Sequence, residues 1–247
     1  MPTMRVDARG TRTPTTGAQL HCPSGVFEPT GTTELLIESI LGFFSAGQST
    51  LDLGCGCGIV GISLANHGIA DEPVCFSDVS DLAVITTQGN CNRYGVTSDC
   101  RVGSTLDPWK GQRFDLVVSD VSGISTEVAA ASSWFENVPC DTGLDGSELV
   151  LEVVERSCDH LTSSGSLVIP VLSLSNAERI LRALEEKFDN VQEIGRKDWV
   201  FPPELKSQLP MMQRLKDLGA VSWEHRFGTQ IWTTTIVCAR TPANGGR

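Results

Sequence analysis

The sequence contains no run approaching the roughly 20 continuous apolar residues that a membrane span needs, no C-x-x-C pair and no strong basic cluster. The first absence excludes a helical membrane span, and the first stretch, MPTMRVDARGTRTPTTG, lacks the apolar centre of a secretory signal. It reads as a weakly basic, flexible lead-in. Lys and Arg number 19 against 30 Asp and Glu, a formal net charge of −11. Binding to a polyphosphate backbone is driven largely by Lys and Arg displacing counterions, so a bulk nucleic-acid partner is not expected. The nearest approach to a basic cluster is Arg5, Arg9 and Arg12, in that same tail. The nine cysteines are odd in number and scattered, which suits small buried hydrophobes in a reducing cytoplasm better than disulfides. Cys55 and Cys57 are one residue apart in a glycine turn, with no second ligand pair nearby, and the four histidines sit in no ligand pattern. Neither arrangement matches zinc-site spacing, and no metal is expected.

What is present is the composition of one ordinary globular domain: 247 residues, 40% hydrophobic and 20% charged. Strands alternate with helices along it, the pattern of a parallel sheet covered on both faces. Helices are expected at 32–44, 58–67, 81–94, 147–161 and 177–188, and strands at 49–53, 73–77, 99–103, 114–119, 166–172, 190–200 and 229–239. Phe114–Ser119, FDLVVS, reads as a strand buried on both faces. Residues 203–218 look like an added helix or loop-helix. The domain is expected to span 21–240, between flexible tails at 1–20 and 241–247.

The strongest local signal is LDLGCGCGIVG, from Leu51 to Gly61. An apolar strand carrying Asp52 is followed by Gly54, Gly56 and Gly58, which open a helix. Glycines suit a turn with unusual dihedrals and a close ligand approach. The helix start offers free N–H groups to an anionic ligand atom. Gly56 to Gly61 also satisfies G-x-G-x-x-G, the dinucleotide pattern, with Asp78 ending the next strand. In either reading Asp78 accepts from ribose hydroxyls. A nicotinamide-dependent oxidoreductase and a non-catalytic cofactor-binding module therefore stay open beside a methyl-transfer enzyme. A purely structural turn is a further alternative.

The run GVFEPTGTTELLIESI, LDLGCGCGIVGISLA, FSDVS, FDLVVSDVSG and GLDGSELVLEVV resembles, in order and spacing, the release-factor glutamine and related N-methyltransferase family of class I S-adenosylmethionine-dependent enzymes. The resemblance covers about residues 25–195. It implies a Rossmann-like, single-domain α/β fold whose sheet has seven strands, mostly parallel, with helices on both faces and an antiparallel final strand. It also implies S-adenosylmethionine as cofactor. Asp52, Gly54, Gly56 and Gly58 would flank its methionine part, Asp78 would hold the ribose and Val79 would cover the adenine. Thr32 and Thr33 would close over it, or simply cap their helix. Ser104 and Thr105 occupy the place of the acid that reads the adenine amino group.

The resemblance has departures. Where the family carries Asn-Pro-Pro-Tyr, this sequence has Asp120, Val121, Ser122 and Gly123. An ionised Asp accepts hydrogen bonds but donates none, so the cradle for a planar amide changes into one that favours amines, guanidines or hydroxyls. Asp120 is the candidate catalytic residue, orienting the acceptor or taking its proton; capping the next turn is its structural alternative. Phe27, Ser122, Trp134 and Phe135 are the candidate acceptor wall, with Trp199 closing the far side. These departures favour a small-molecule acceptor, with nitrogen as the nucleophile, in specialised biosynthesis. A protein N-methyltransferase acting on a side-chain or terminal nitrogen is the alternative. A cytoplasmic enzyme without membrane contact is expected.

Overall fold

The computed structural model describes residues 5–6, 12–13, 20–138, 140 and 142–240. The flexible tails expected at 1–20 and 241–247 lie outside these, apart from Leu20 and two short strands, β1 (Arg5–Val6) and β2 (Arg12–Thr13), which pair antiparallel. The elements that follow are α1 (Gly31–Phe43), β3 (Gln48–Leu53), α2 (Ile59–Asn66), β4 (Ala70–Asp78), α3 (Asp81–Tyr94), β5 (Ser98–Val102) and β6 (Phe114–Ser119). Then come α4 (Thr126–Ala131), α5 (Glu148–Ser157), β7 (Leu161–Leu172), α6 (Ala177–Lys187), β8 (Asn190–Val200), α7 (Pro203–Ser207), α8 (Leu209–Asp217), β9 (Glu224–Arg226) and β10 (Thr229–Arg240).

The main sheet runs β5-β4-β3-β6-β7-β10-β8, with β9 added to β10. From β5 to β7 all neighbours are parallel, and β10 is antiparallel to both β7 and β8. The doubly wound α/β architecture and reversed final strand match expectation. The strand count corrects to eight. Phe227 (φ 55°) and Gly228 (φ 76°) both take positive φ, as a tight hairpin turn requires, and fold Glu224–Arg226 back onto β10.

Alternation along the strands sorts the core. Leu51, Leu53 and Val117 pack with Val150, Val153 and Val154 of α5 and Ile180 and Leu184 of α6. Leu116, Val118 and Phe76 face Leu36 and Ile40 of α1 and Val60, Ile62 and Leu64 of α2. Period-two alternation on β6 thus feeds both layers. Local signals fix the helix starts: Ser80 Oγ accepts from Ala83 N at the head of α3, and Asn176 Oδ1 accepts from Arg179 N at the head of α6.

A third core was not legible in advance. Val128 and Ala129 of α4, Leu205 of α7, and Met212 and Leu215 of α8 pack with Phe201 and Trp232. α4 falls in a segment that reads as polar loop, and residues 203–218 form two helices. The ion pair of Arg214 with Glu127 ties α8 to α4. Among the described residues no helix is long and apolar enough to cross a membrane.

Gly61 marks the tightest seam between α2 and the sheet: a Cβ there would lie 2.3 Å from Phe76 Cε1. Glycine-to-alanine inside a helix ordinarily stabilises by about 1 kcal/mol, but overpacking costs about 1–3 kcal/mol. Gly61→Ala should therefore lower stability. The check is urea unfolding, where the midpoint falls at unchanged slope.

Candidate active site

A cleft of about 780 Å³ opens at the carboxyl ends of β3, β4 and β6, where open α/β sheets place their sites. Its floor is the glycine turn. Gly54 (φ 75°), Gly56 (φ 53°) and Gly58 (φ 81°) are all left-handed, which a side chain would strain. Space matters as well at Gly54, where a Cβ would lie 2.7 Å from Val121 Cγ1. Gly54 N and Cys55 N both donate to Ser77 O, locking the turn to β4.

Three carboxylates end three adjacent strands. Asp52 is buried behind the turn: Oδ2 accepts from Gly61 N at 2.8 Å, while Oδ1 has no partner. Burial, offset in part by the Gly61 bond and reinforced by Asp120 and Asp78, pushes its carboxyl up to about 7. Asp78 is half-buried and accepts from Gly56 N at 3.0 Å and Ser80 N at 2.9 Å, one bond on each oxygen. Asp120 borders the cleft, with Oδ2 accepting from Thr33 Oγ1 at 2.8 Å. Burial raises its carboxyl to about 6 against the opposing pull of the Thr33 bond. Among the described residues lining the cleft there is no Lys, Arg or His.

The turn after β6 lacks the two prolines of the resembled signature, and other contacts fix it. Gly146 lies so close that a Cβ would meet Ile124 C at 2.3 Å. Thr142 Oγ1 donates to Ile124 O, and Thr126 donates to Gly143 O through both its backbone N (3.1 Å) and its hydroxyl (2.9 Å). The GLDGSE segment is thus the backing of the Asp120–Ser125 turn.

Of the expected site residues, Phe27, Thr32, Thr33, Gly54, Gly56, Asp78, Val79, Ser104, Thr105, Asp120, Ser122, Trp134, Phe135 and Trp199 all border one cleft. Asp52 and Gly58 do not reach it: Asp52 braces the loop, and Gly58 is the N-cap of α2, packed on Thr87. The Thr105 hydroxyl is engaged away from the cleft, donating to Glu152 Oε1 and accepting from Arg156 Nη1, both at 2.7 Å. Ser104 beside it is exposed. Thr33 is committed to Asp120 and to the cap of α1.

Trp232 is the residue the sequence reading missed. It stands directly opposite Trp199 across the β8–β10 pair, the rings stacked with centroids 5.9 Å apart, and Trp134 lies 5.7 Å away on another side. Phe27 and Phe135, 5.1 Å apart, continue the wall. The cross-strand partner of Trp199 would have disclosed it, had the strand register been known.

Residues 19–121 match the family model described as the methyltransferase small domain. The chain is 28% identical over 161 residues to the release factor glutamine methyltransferase of Geobacter sulfurreducens, covering 63% of this chain and 56% of that protein. The chain thus spans little more than half of that relative. Among solved structures, the ribosomal protein L11 methylase of Lactobacillus delbrueckii subsp. bulgaricus superposes with a TM-score of 0.54 at 19% identity, covering 89% of this chain and 83% of that one. A T. Thermophilus 16S rRNA N2 G1207 methyltransferase, in complex with AdoMet and guanosine, gives 0.55 at 16% identity, covering 87% of this chain and 44% of that one. At those identities the two structures speak for the fold.

Asp52 carries a measurable consequence. The folded state holds its proton more tightly than the unfolded chain does, so its stabilising contribution is present near pH 4 and is lost as pH rises to about 7. Asp52→Asn removes that titration. The stability difference between wild type and variant, from urea unfolding at several pH values, should shift in the variant's favour between pH 4 and 7. A constant difference would mean that Asp52 titrates normally.

Proposed function

We propose that the chain, whose residues 19–121 match the methyltransferase small domain model, transfers the methyl group of S-adenosylmethionine to a nitrogen of a protein, on a side chain or a terminus. The observation that carries the acceptor chemistry is Asp120, a carboxylate in an aromatic-walled cleft that offers no cation among its described lining residues. When bound, S-adenosylmethionine supplies an electrophilic methyl group on a sulfonium.

The residues present fit that cofactor. The left-handed glycines let a ligand approach the backbone at Gly54 and Gly56, and an acid-lined cleft suits a cationic sulfonium and ammonium. Asp78 keeps acceptor capacity beyond its two backbone bonds for ribose hydroxyls. Val79, 74% exposed at the cleft edge, and Ser104 serve the adenine.

The protein's own work is alignment and proton handling. Asp120 accepts an N–H of the acceptor, turns the nitrogen lone pair toward the methyl group and receives the proton that an ammonium must lose. The wall of Trp134, Trp199, Trp232, Phe27 and Phe135 seats the aliphatic stem and attracts its charge through the ring faces. The small-molecule acceptor that the altered signature favours yields here to a protein. Curated relatives are named release factor glutamine methyltransferase and ribosomal protein L11 methyltransferase, and the acidic cleft disfavours a polyphosphate chain.

Incubation with labelled S-adenosylmethionine and cell extract, split into protein and metabolite fractions, tests the acceptor. Label is expected in protein, and label confined to metabolites overturns that part of the reading. Asp78→Ala should weaken binding of S-adenosylhomocysteine by about 1–3 kcal/mol in calorimetry; unchanged affinity in a folded variant would remove Asp78 from the cofactor site. Asp120→Asn should leave that affinity intact and lower kcat/KM by about 10²-fold or more. In wild type, kcat/KM should fall below a midpoint near pH 6, where Asp120 gains its proton.

A further inference from the structure

Helix α1 opens on Thr30, Thr32 and Thr33, and their hydroxyls have different tasks. Thr30 Oγ1 accepts from Thr32 N at 3.3 Å, the ordinary work of an N-cap. Thr32 Oγ1 pairs with Thr234 Oγ1 of β10 at 3.3 Å, and Thr234 Oγ1 also accepts the Trp199 indole N–H at 3.0 Å. The Trp199 ring lies against Gly31, where a Cβ would be 2.5 Å from it. The helix start is therefore stapled to β8 and β10 at the aromatic wall.

Thr33, only 3% exposed, faces the other way. Its oxygen accepts from Thr30 N at 3.3 Å. A hydroxyl has one proton to give. With the backbone N–H occupying one side of the oxygen, that proton is directed to Asp120 Oδ2 at 2.8 Å. Capping alone needs no such bond, since the cap uses only the acceptor side of the hydroxyl.

We propose that Thr33 is the positioning residue for Asp120: it clamps Oδ2, fixes the plane of the carboxylate and leaves Oδ1 to meet the acceptor nitrogen. This rests on the methyl-transfer reading for its purpose, though not for the clamp itself. The clamp also helps to keep Asp120 ionised in a setting that opposes ionisation. Asp52 at the end of β3 interacts with it, Asp78, Cys55 and Cys57 share the cleft lining, and no cation lines the cleft among the described residues. The lining residues from α1, α2, α5, β7, β8, β10 and the segment after α4 are all uncharged. The Thr33 hydroxyl is thus the group that favours the charged form.

The test is the carboxyl carbon titration of Asp120 by NMR on the full chain with labelled aspartate, alongside the pH profile of kcat/KM. Thr33→Val should raise the Asp120 midpoint by about one pH unit, the size of a lost charged hydrogen bond, and move the acid limb of kcat/KM by the same amount. Thr33→Ser, which keeps the hydroxyl, should restore both. Thr30→Ala, which weakens the cap, should lower Tm and leave the midpoint where it is. Should Thr33→Val fail to fold, Thr33→Ala makes the same measurement. An unmoved midpoint in a folded Val or Ala variant, or a Ser variant that fails to restore it, overturns the proposal. A shifted midpoint in a protein that transfers no methyl group would leave the clamp standing and sink the methyl-transfer reading instead.

Discussion

Three carboxylates at the carboxyl ends of β3, β4 and β6, around a cleft without a cation among its described lining residues, are the constraint to which the rest of the site answers. Like charges this close cannot all ionise freely in a low-dielectric setting. The chain resolves the conflict by giving each acid different donors. Asp78 has two backbone N–H groups, one on each oxygen. Asp120 has one hydroxyl. Asp52 has one N–H and a bare second oxygen, and burial together with the charges of Asp120 and Asp78 carries it to about 7. Asp120, near 6, can both accept an N–H and take a proton around neutral pH.

Rigidity at the turn after β6 is a second consequence. A signature with two prolines holds its turn through fixed φ values. Val121-Ser122-Gly123 has no such restraint, yet the catalytic geometry needs placement to a fraction of an ångström. The restraint comes instead from a segment more than twenty residues downstream, where left-handed Gly146 lets backbone press on backbone at Ile124–Ser125. Asp145 then anchors that segment to α6 through Asn176 and Arg179. Local stiffness has been exchanged for a tertiary clasp.

Much of this was readable in the residues, for physical reasons that also mark where reading stopped. Strands such as FDLVVS and the glycine run declare themselves because burial on both faces and left-handed φ demand particular residue types. Nearly all of the expected site residues reach the cleft because strand ends and the following loops converge in any open α/β sheet. That Asp52 and Gly58 stand back from the cleft was not legible, because sequence adjacency to the turn does not say which side of it a group faces. The engagement of the Thr105 hydroxyl was not legible either, because its partners, Glu152 and Arg156, lie about fifty residues away. α4 escaped because a short helix carries few periods, and the core that it shares with α7 and α8 is assembled from three separate stretches. The hairpin strand β9 was missed because Phe-Gly is not among the usual turn pairs.

That third core sets the aromatic wall of the cleft apart from its glycine floor. The glycine loop and the three acids hang from the central strands, whose side chains are shared with both large cores. Trp232 and Trp199 instead belong to the cluster of α4, α7 and α8. Among the described buried side chains, Trp232 Nε1 has no protein partner, and neither do Asp52 Oδ1, Ser119 Oγ, Ser125 Oγ, His160 Nδ1 and Thr229 Oγ1. The indoles elsewhere show that the chain can satisfy such groups: Trp109 donates to Ser77 Oγ at 2.9 Å, Trp199 to Thr234 Oγ1 at 3.0 Å and Trp223 to Met212 O at 3.3 Å. The wall is not independent of the acids, since Thr32 ties the start of α1 to Thr234 and through it to Trp199, while the next residue, Thr33, holds Asp120.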